Sequence, residues 1–238
     1  MKKVLALLLL ASMVFCVVSC KKPEGVDPNA KSEDAMTHAE FMAAAVDAEV
    51  TIEAFVQAKQ SWWQNEAVVY LQDGTGGYYV YKLPCTEAEF NALAIGTKVQ
   101  VKGVKAFWGG MNEVMNVSDW KVIEGDTWVA SATDITAKLA DKDALVAYTC
   151  MLVKVSDVTI VSVSKSSNNN DMYVTFEKGG AQYSVTVEEY LTAPSTDFYA
   201  AVEALVAGDV VDLEGFVQWW GDEAPYSFDM HLNKVTKK

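Results

Sequence analysis

Residues 96–104 read GTKVQVKGV, and residues 208–216 read GDVVDLEGF. In both segments two glycines enclose a strand-like run of alternating side chains. An aromatic pair follows the second glycine in each, Phe107-Trp108 in the first segment and Trp219-Trp220 in the second. The sequence therefore contains two copies of one structural unit.

The first copy shows the order of elements within the unit. Short apolar or alternating runs predict strands over residues 50–56, 66–71, 78–83, 98–105 and 113–122. Ser32 or Thr37 can cap a short helix before the first strand, and Thr86 can cap a second helix that runs through Leu93. The glycines of residues 73–77 suit a hairpin between the second and third strands. The unit thus has three strands, a helix and two further strands.

The second copy differs from the first in its turns. Residues 133–137 parallel the start of the first copy, and the sequence predicts that the next strand covers residues 146–155. The sequence EKGG at residues 177–180 replaces the DGTG turn of the first copy. The polar residues 168–171 could coordinate a cation, but they more often form a solvated hairpin tip.

A helix between the third and fourth strands is typical of the OB-fold, a five-stranded Greek-key barrel. We therefore predict an all-β protein with short helices, built from two tandem OB-fold-like five-stranded Greek-key barrels. The predicted domains are residues 32–124 and residues 132–238, with a linker at residues 125–131.

The N-terminus has the features of an export signal. Lys2 and Lys3 precede an apolar run over residues 4–18, which is too short for a transmembrane helix but suits the core of a signal peptide. The run ends in Val17-Val18-Ser19-Cys20, which resembles the cleavage motif of bacterial lipoproteins. We expect residues 1–19 to be removed, Cys20 to be lipidated and residues 20–31 to form a flexible tether. The alternative is an ordinary secreted protein.

The first repeat resembles a known family. The helix start at residues 37–41, the hairpin at residues 73–76 and the strand at residues 96–103 are similar to the OB-fold domains of Bacteroidetes lipoproteins. The second repeat resembles them less well. The resemblance implies a protein of the cell envelope that is lipid-anchored in the outer membrane, on either its periplasmic or its surface side. Some relatives are labelled as nucleic-acid-binding by analogy of fold, but a fold does not carry a function.

Charge weighs against one class of partner. The chain has 32 acidic residues against 19 basic ones, with a net charge of -13. Loss of the two lysines Lys2 and Lys3 with the signal peptide changes this from -13 to -15. Every basic residue is Lys, whereas Arg is the better residue for binding phosphate and reading guanine. We expect no nucleic-acid partner.

Residues that could perform catalysis form no recognisable set. His38 and His231 lie in different repeats, without Cys or His at metal-site spacing, and no nucleophile motif is present. We therefore expect no enzymatic activity, no metal and no cofactor. Cys85 and Cys150 could pair in an oxidising compartment, although burial as separate thiols is the favoured interpretation.

Aromatic residues are the remaining candidates for function. They lie close to the face and loops with which OB-folds bind oligomers, and the candidate ligand-binding residues are Trp62, Trp63, Tyr79, Trp108, Trp219, Trp220 and Tyr226. Adjacent residues of a strand point to opposite faces, so one ring of each pair is expected in the core. The polar residues expected around these rings are Gln64, Asn65, Asn112, Glu113, Asp222 and Glu223.

These observations predict a non-catalytic binding module. Aromatic rings among carboxylates and amides suit a glycan, a peptide or a protein partner. The alternatives are a scaffold component of an envelope assembly and, less favoured, a single-stranded nucleic-acid binder by analogy of fold. The identity of the ligand and the oligomeric state stay open.

Overall fold

The computed structural model describes residues 25–238. The predicted signal peptide, Cys20 and the first residues of the predicted tether lie outside the described residues. The first repeat forms α1 (His38–Ala43), β1 (Glu49–Lys59), β2 (Glu66–Gln72), β3 (Gly77–Pro84), α2 (Glu87–Ala92), β4 (Thr97–Trp108) and β5 (Met111–Thr127). No helix in this described part of the chain is long and apolar enough to cross a membrane.

The strands of the first repeat close into a barrel in the order β1-β2-β3-β5-β4. Strand β1 pairs antiparallel with both β2 and β4, which closes one side. On the other side, β3 and β5 meet in a short parallel pair at Tyr79 and Glu113. This parallel contact between the third and fifth strands follows from the helix-containing connection between β3 and β4.

The second repeat forms β6 (Thr133–Asp134), a single 3-10 turn (Thr136–Lys138), α3 (Lys142–Val146), β7 (Leu152–Lys165), β8 (Met172–Lys178), β9 (Ala181–Val187), α4 (Asp197–Glu203), β10 (Val210–Trp220) and β11 (Ser227–Lys237). Strands β7 and β10 pair, so β7-β8-β9-β11-β10 is also closed, with β6 added beside β7. The prediction of an all-β protein with two tandem OB-fold-like barrels is confirmed.

One predicted strand is wrong over part of its length. Residues 146–155 were expected to be extended, but Val146 ends α3 and β7 begins only at Leu152. The Asp141 side chain accepts a hydrogen bond of 3.0 Å from the Ala144 N–H, which caps a helical turn before the strand. The apolar run continues across this turn, so its pattern did not show the boundary.

The helix starts of the first repeat follow the sequence prediction at Thr37 and Thr86. Each threonine accepts a hydrogen bond of 3.2 Å from the backbone of a glutamate three residues on, Glu40 or Glu89. The glutamate carboxylate in turn accepts from the threonine backbone, which completes a capping box at each helix. Ser32 is not the cap of α1.

Two buried ion pairs lie in the first barrel, and one of them ties Lys31, ahead of α1, to the barrel. Lys31 Nζ is 2.7 Å from Asp73 Oδ2, and Lys98 Nζ is 2.8 Å from Glu53 Oε1. Burial by itself raises the pKa of Asp73, but the hydrogen bonds from Lys31 and Thr75 outweigh it and hold the pKa below the usual range. These pairs neutralise Asp73 and Glu53.

The two barrels are packed against each other through a shared apolar cluster. Tyr70, Tyr79 and Met111 of the first barrel belong to the same buried cluster as Phe216 and the core of the second barrel. The Tyr70 ring lies 4.8 Å from the Phe216 ring, measured between centroids. The Tyr70 hydroxyl and His231 Nδ1 share a buried hydrogen bond of 2.8 Å.

Backbone contacts reinforce this packing. A Cβ at Gly77 would overlap the carbonyl of Cys150, so the two backbones touch where the first barrel meets the second. The Gln72 side chain accepts a hydrogen bond of 2.8 Å from the Leu152 N–H across the same contact. Cys150 is a buried free thiol at this interface, and Cys85 is a buried free thiol in the core of the first barrel.

Candidate functional site

A cleft of about 910 Å³ lies between the two barrels. Strand β3 and the β4–β5 hairpin form one wall, and strands β8 and β9 with the β10–β11 hairpin form the other. The last strands and their hairpins occupy corresponding positions in the two repeats, so similar elements face each other. The tandem arrangement therefore creates a site that a single barrel does not have.

Aromatic rings line both walls of the cleft. The first barrel contributes Tyr79, Tyr81, Phe107 and Trp108, and the second contributes Tyr173, Tyr190, Trp219, Trp220 and Phe228. Trp108 is 69% exposed and Trp220 is 56% exposed, whereas Trp219 is buried. The exposed rings offer faces on which a ligand can stack, while Trp219 packs edge-on against Phe228 as part of the wall.

Four of the aromatic residues predicted from sequence come together here: Tyr79, Trp108, Trp219 and Trp220. Trp219 and Trp220 behave as expected for adjacent strand residues, with one ring buried and one exposed. Phe107 and Trp108 are both exposed, because they end β4 in a hairpin that extends past the barrel core.

The other three predicted residues do not line the cleft. The Trp62 ring packs on the first barrel core, and its Nε1 donates a hydrogen bond of 2.9 Å to the Cys85 carbonyl. Trp63 is 68% exposed on the same loop. Tyr226 packs edge-on against Phe107, with ring centroids 5.8 Å apart, beside the cleft rather than in it.

Carboxylates lie among the rings. They are Glu113 from the first barrel and Asp171, Glu188 and Asp229 from the second. Of the six polar residues expected around the aromatic rings, Glu113 is the one that reaches the cleft. No lysine belongs to the described residues that line it.

Burial raises the pKa of two of these carboxyls to near neutral pH. Desolvation raises the pKa of Glu113 to about 7, and its side chain makes no hydrogen bond or ion pair with another described residue. Desolvation also raises the pKa of Glu188 to about 7, although backbone N–H groups of Tyr190 and Leu191 oppose the shift. The Gln60 side chain of the first barrel donates a hydrogen bond of 2.9 Å to Glu188.

Asp229 holds an exposed ring in place. Its Oδ2 accepts hydrogen bonds of 2.8 Å from Trp220 Nε1 and from Thr186 Oγ1. These bonds fix the indole edge, so the Trp220 face is presented to the cleft with little freedom to rotate. A ring that is already oriented loses less entropy when it binds a ligand.

Two buried polar atoms in the cleft wall have no partner among the described residues: Gln218 Nε2 and His231 Nε2. Gln218 is 2% exposed and His231 is 4% exposed. Burial lowers the pKa of His231, with Asp229 and Asp171 opposing the shift, so the ring is uncharged at neutral pH. A buried polar group without a partner costs stability, and such groups are often completed by a ligand or water.

Sequence reasoning missed most of the polar residues of the cleft. His231 has no metal-ligating residue at a suitable spacing, and Glu188 is one of two adjacent acids in a chain that is rich in acids. A stronger signal was present, because Gln218 and His231 interrupt two apolar strand runs at inward positions. Nothing in the sequence showed that the two barrels would face each other.

No protein-family model matches the chain, and no curated protein matches it. Solved structures similar to it include the p204 HINb domain, at 9% identity and a TM-score of 0.39, covering 82% of this chain and 100% of that one. A murine DNA-binding protein bound with ds DNA shares 12% identity at a TM-score of 0.40, covering 79% and 96% of the two chains. A replication protein A heterotrimer bound to ssDNA shares 12% identity at a TM-score of 0.37, covering 79% of this chain and 48% of that one.

The prediction that nucleic acid is not a partner is contradicted by these structures, two of which are described as bound to DNA. The prediction used net charge and the absence of Arg, which are averages over the whole chain. Nucleic-acid contact depends on the charge of one local surface, so an acidic total does not exclude it. Composition alone was too coarse for that conclusion.

Proposed function

We propose that this chain is a non-catalytic binding protein of the cell envelope, anchored through lipid on Cys20, that holds its ligand in the cleft between the barrels. The observation that supports this best is the cleft itself, which is lined by exposed Trp108 of one barrel, exposed Trp220 of the other, and the buried, unpartnered Gln218 and His231. The volume of about 910 Å³ suits a short glycan or peptide.

A binding role fits the chemistry of the wall better than catalysis. The polar groups of the cleft are carboxyls, amides, hydroxyls and one histidine, and no serine, threonine or cysteine makes a hydrogen bond with that histidine among the described residues. Rings and carboxyl groups instead offer stacking and hydrogen bonds to hydroxyl or amide groups.

Trp108 and Trp63 provide a matched test, because they are 69% and 68% exposed but only Trp108 lines the cleft. The purified lipidated chain is titrated with neutral oligosaccharides, short peptides and a single-stranded oligonucleotide while tryptophan fluorescence is recorded. We expect a saturable change with one of these classes that Trp108→Ala weakens at least about tenfold. Trp63→Ala is expected to bind like the wild type.

Two results would contradict this proposal: no saturable response to any class, or equal loss of binding in Trp108→Ala and Trp63→Ala. Oligonucleotide binding that depends on Trp108 would support the cleft as the site and would identify nucleic acid as its ligand.

The anchor is tested separately. Mass spectrometry of the N-terminal peptide is expected to show acylated Cys20, and Cys20→Ala is expected to move the protein from the membrane fraction to the soluble fraction. A membrane-bound Cys20→Ala protein would refute the lipid anchor while leaving the cleft proposal intact.

A further inference from the structure

The cleft joins acidic groups to exposed rings, a combination that recognises positive charge. Glu113, Asp171, Glu188 and Asp229 lie around Trp108 and Trp220, and no described lining residue is a lysine. A cation is attracted both by carboxylates and by the faces of tryptophan and tyrosine rings. At neutral pH no positively charged side chain among the described lining residues competes for these groups.

Glu113 is the carboxyl of the cleft that most clearly lacks a positively charged partner among the described residues. It is 5% exposed and has neither a hydrogen bond nor an ion pair with another described residue. Elsewhere in the same barrel, buried Glu53 and Asp73 each have a lysine partner at 2.8 Å and 2.7 Å. These two buried acids thus have lysine partners, whereas Glu113 in the cleft has no counterion among the described residues.

The unpartnered atoms add a second requirement. Gln218 Nε2 is a buried donor that lines the cleft, so the ligand must offer a hydrogen-bond acceptor there. His231 Nε2, also buried and unpartnered, lies on the neighbouring strand. An amine that carries an amide or hydroxyl oxygen nearby satisfies both the acids and these atoms.

We propose that the cleft binds an organic amine in its cationic form, with a hydrogen-bond acceptor close to the amine, as in a lysine-bearing peptide. This rests on the proposed function, because it names the class of ligand for the same site. The ammonium group would lie between Glu113 and Glu188, with its carbon chain against the exposed tryptophan faces.

Protonation of the cleft should control this binding. Glu113 is faced by Tyr79 on β3 and by Cys150 before β7. Glu188 is faced by Asp171 and Glu189 of its own barrel and by the hydroxyls of Tyr70, Tyr79 and Tyr190. None of these groups is a cation, and His231 on β11 is uncharged at neutral pH. The two glutamates titrate near neutrality, so a bound cation would lower their pKa and release protons.

The test compares two probes of the same sequence, one cationic and one uncharged: acetyl-trilysine-amide and the same peptide acetylated on its three side-chain amines. Binding to the purified chain is measured by calorimetry and by tryptophan fluorescence. We expect the cationic peptide to bind at least about tenfold more tightly than its acetylated counterpart. Its affinity should rise from about pH 5.5 to about pH 8, with proton release detected as a dependence of the heat on buffer.

Variants test whether the carboxyl groups of the cleft cause the preference for the cationic peptide. Glu113→Gln and Glu188→Gln should each weaken the cationic peptide about tenfold and flatten its pH dependence. Glu177→Gln removes an exposed carboxylate on β8 outside the cleft and should leave both unchanged. Circular dichroism of each variant confirms that it is folded.

Three results would overturn the proposal: acetylated peptide that binds as well as the cationic one, equal loss in Glu177→Gln, or no saturable response to the cationic peptide up to about 1 mM. If a neutral oligosaccharide or an oligonucleotide still binds through Trp108 in that case, the binding function stands and only the cation proposal fails. If no probe responds at all, both fail.

Discussion

The hydrogen bond between Tyr70 and His231 joins the two barrels, and its removal should weaken the whole protein. Tyr70 is fully buried, its hydroxyl lies 2.8 Å from His231 Nδ1, and the other nitrogen of the same ring is already unpartnered among the described residues. In Tyr70→Phe the ring still packs on Tyr79 and Phe216, so the main loss is the hydroxyl. The variant leaves a buried imidazole without either partner.

The expected loss in free energy of unfolding is about 1–3 kcal/mol, the usual cost of leaving a buried polar group unpaired. Urea denaturation followed by tryptophan fluorescence measures it. Tyr173→Phe is the matched control, because Tyr173 is 41% exposed, and its change should stay within about 0.5 kcal/mol.

A double variant sharpens the test. In Tyr70→Phe/His231→Leu both polar partners are replaced by apolar groups, so part of the lost stability should return. If the free energy of unfolding of Tyr70→Phe lies within about 0.5 kcal/mol of the wild-type value, the hydrogen bond does not stabilise the interface as argued.

Further predictions concern the interface and the titrating groups. Gly77→Ala should lower the free energy of unfolding by about 1–3 kcal/mol in urea melts, since the new methyl group overlaps the backbone of Cys150, whereas Gly25→Ala has open space and should be neutral. Because burial raises the pKa of Glu113 from its ordinary value of 4.5 to about 7, the folded state binds the extra proton and its stability falls as pH rises across that interval; Glu113→Gln should remove part of this fall in melts from pH 4 to about pH 8. Buried Cys85 and Cys150 should resist alkylation in the native protein and react only after unfolding, as read by peptide mapping, and rapid native labelling of Cys150 would contradict the closed interface.

Most of the first barrel was predictable because its signals are local. Capping boxes at Thr37 and Thr86 and the glycine hairpin at residues 73–77 depend on neighbours within a few positions. The start of the second barrel was less predictable, since a capped helical turn at Asp141 lies inside an apolar run that also suits a strand.

The candidate site was predictable in part. Aromatic pairs after the repeated glycines indicated Trp108, Trp219 and Trp220, which the cleft brings together. Trp62 and Trp63 also form an aromatic pair after a strand but lie away from the cleft, with Trp62 packed on the first barrel core and Trp63 exposed to solvent. Residue type alone does not distinguish these two environments.

The sequence by itself determined two OB-fold barrels, since repeated glycines, alternating strands and helix caps act over short distances and each favours the same local structure. The tertiary structure alone decided how the barrels meet. Contacts such as Tyr70 with His231 and Gly77 with Cys150 join residues far apart in the chain, and no local pattern encodes them. The same packing places Glu113 and Glu188 of different barrels in one cleft and buries both, which gives acids that are ordinary in the sequence an unusual pKa in the folded protein.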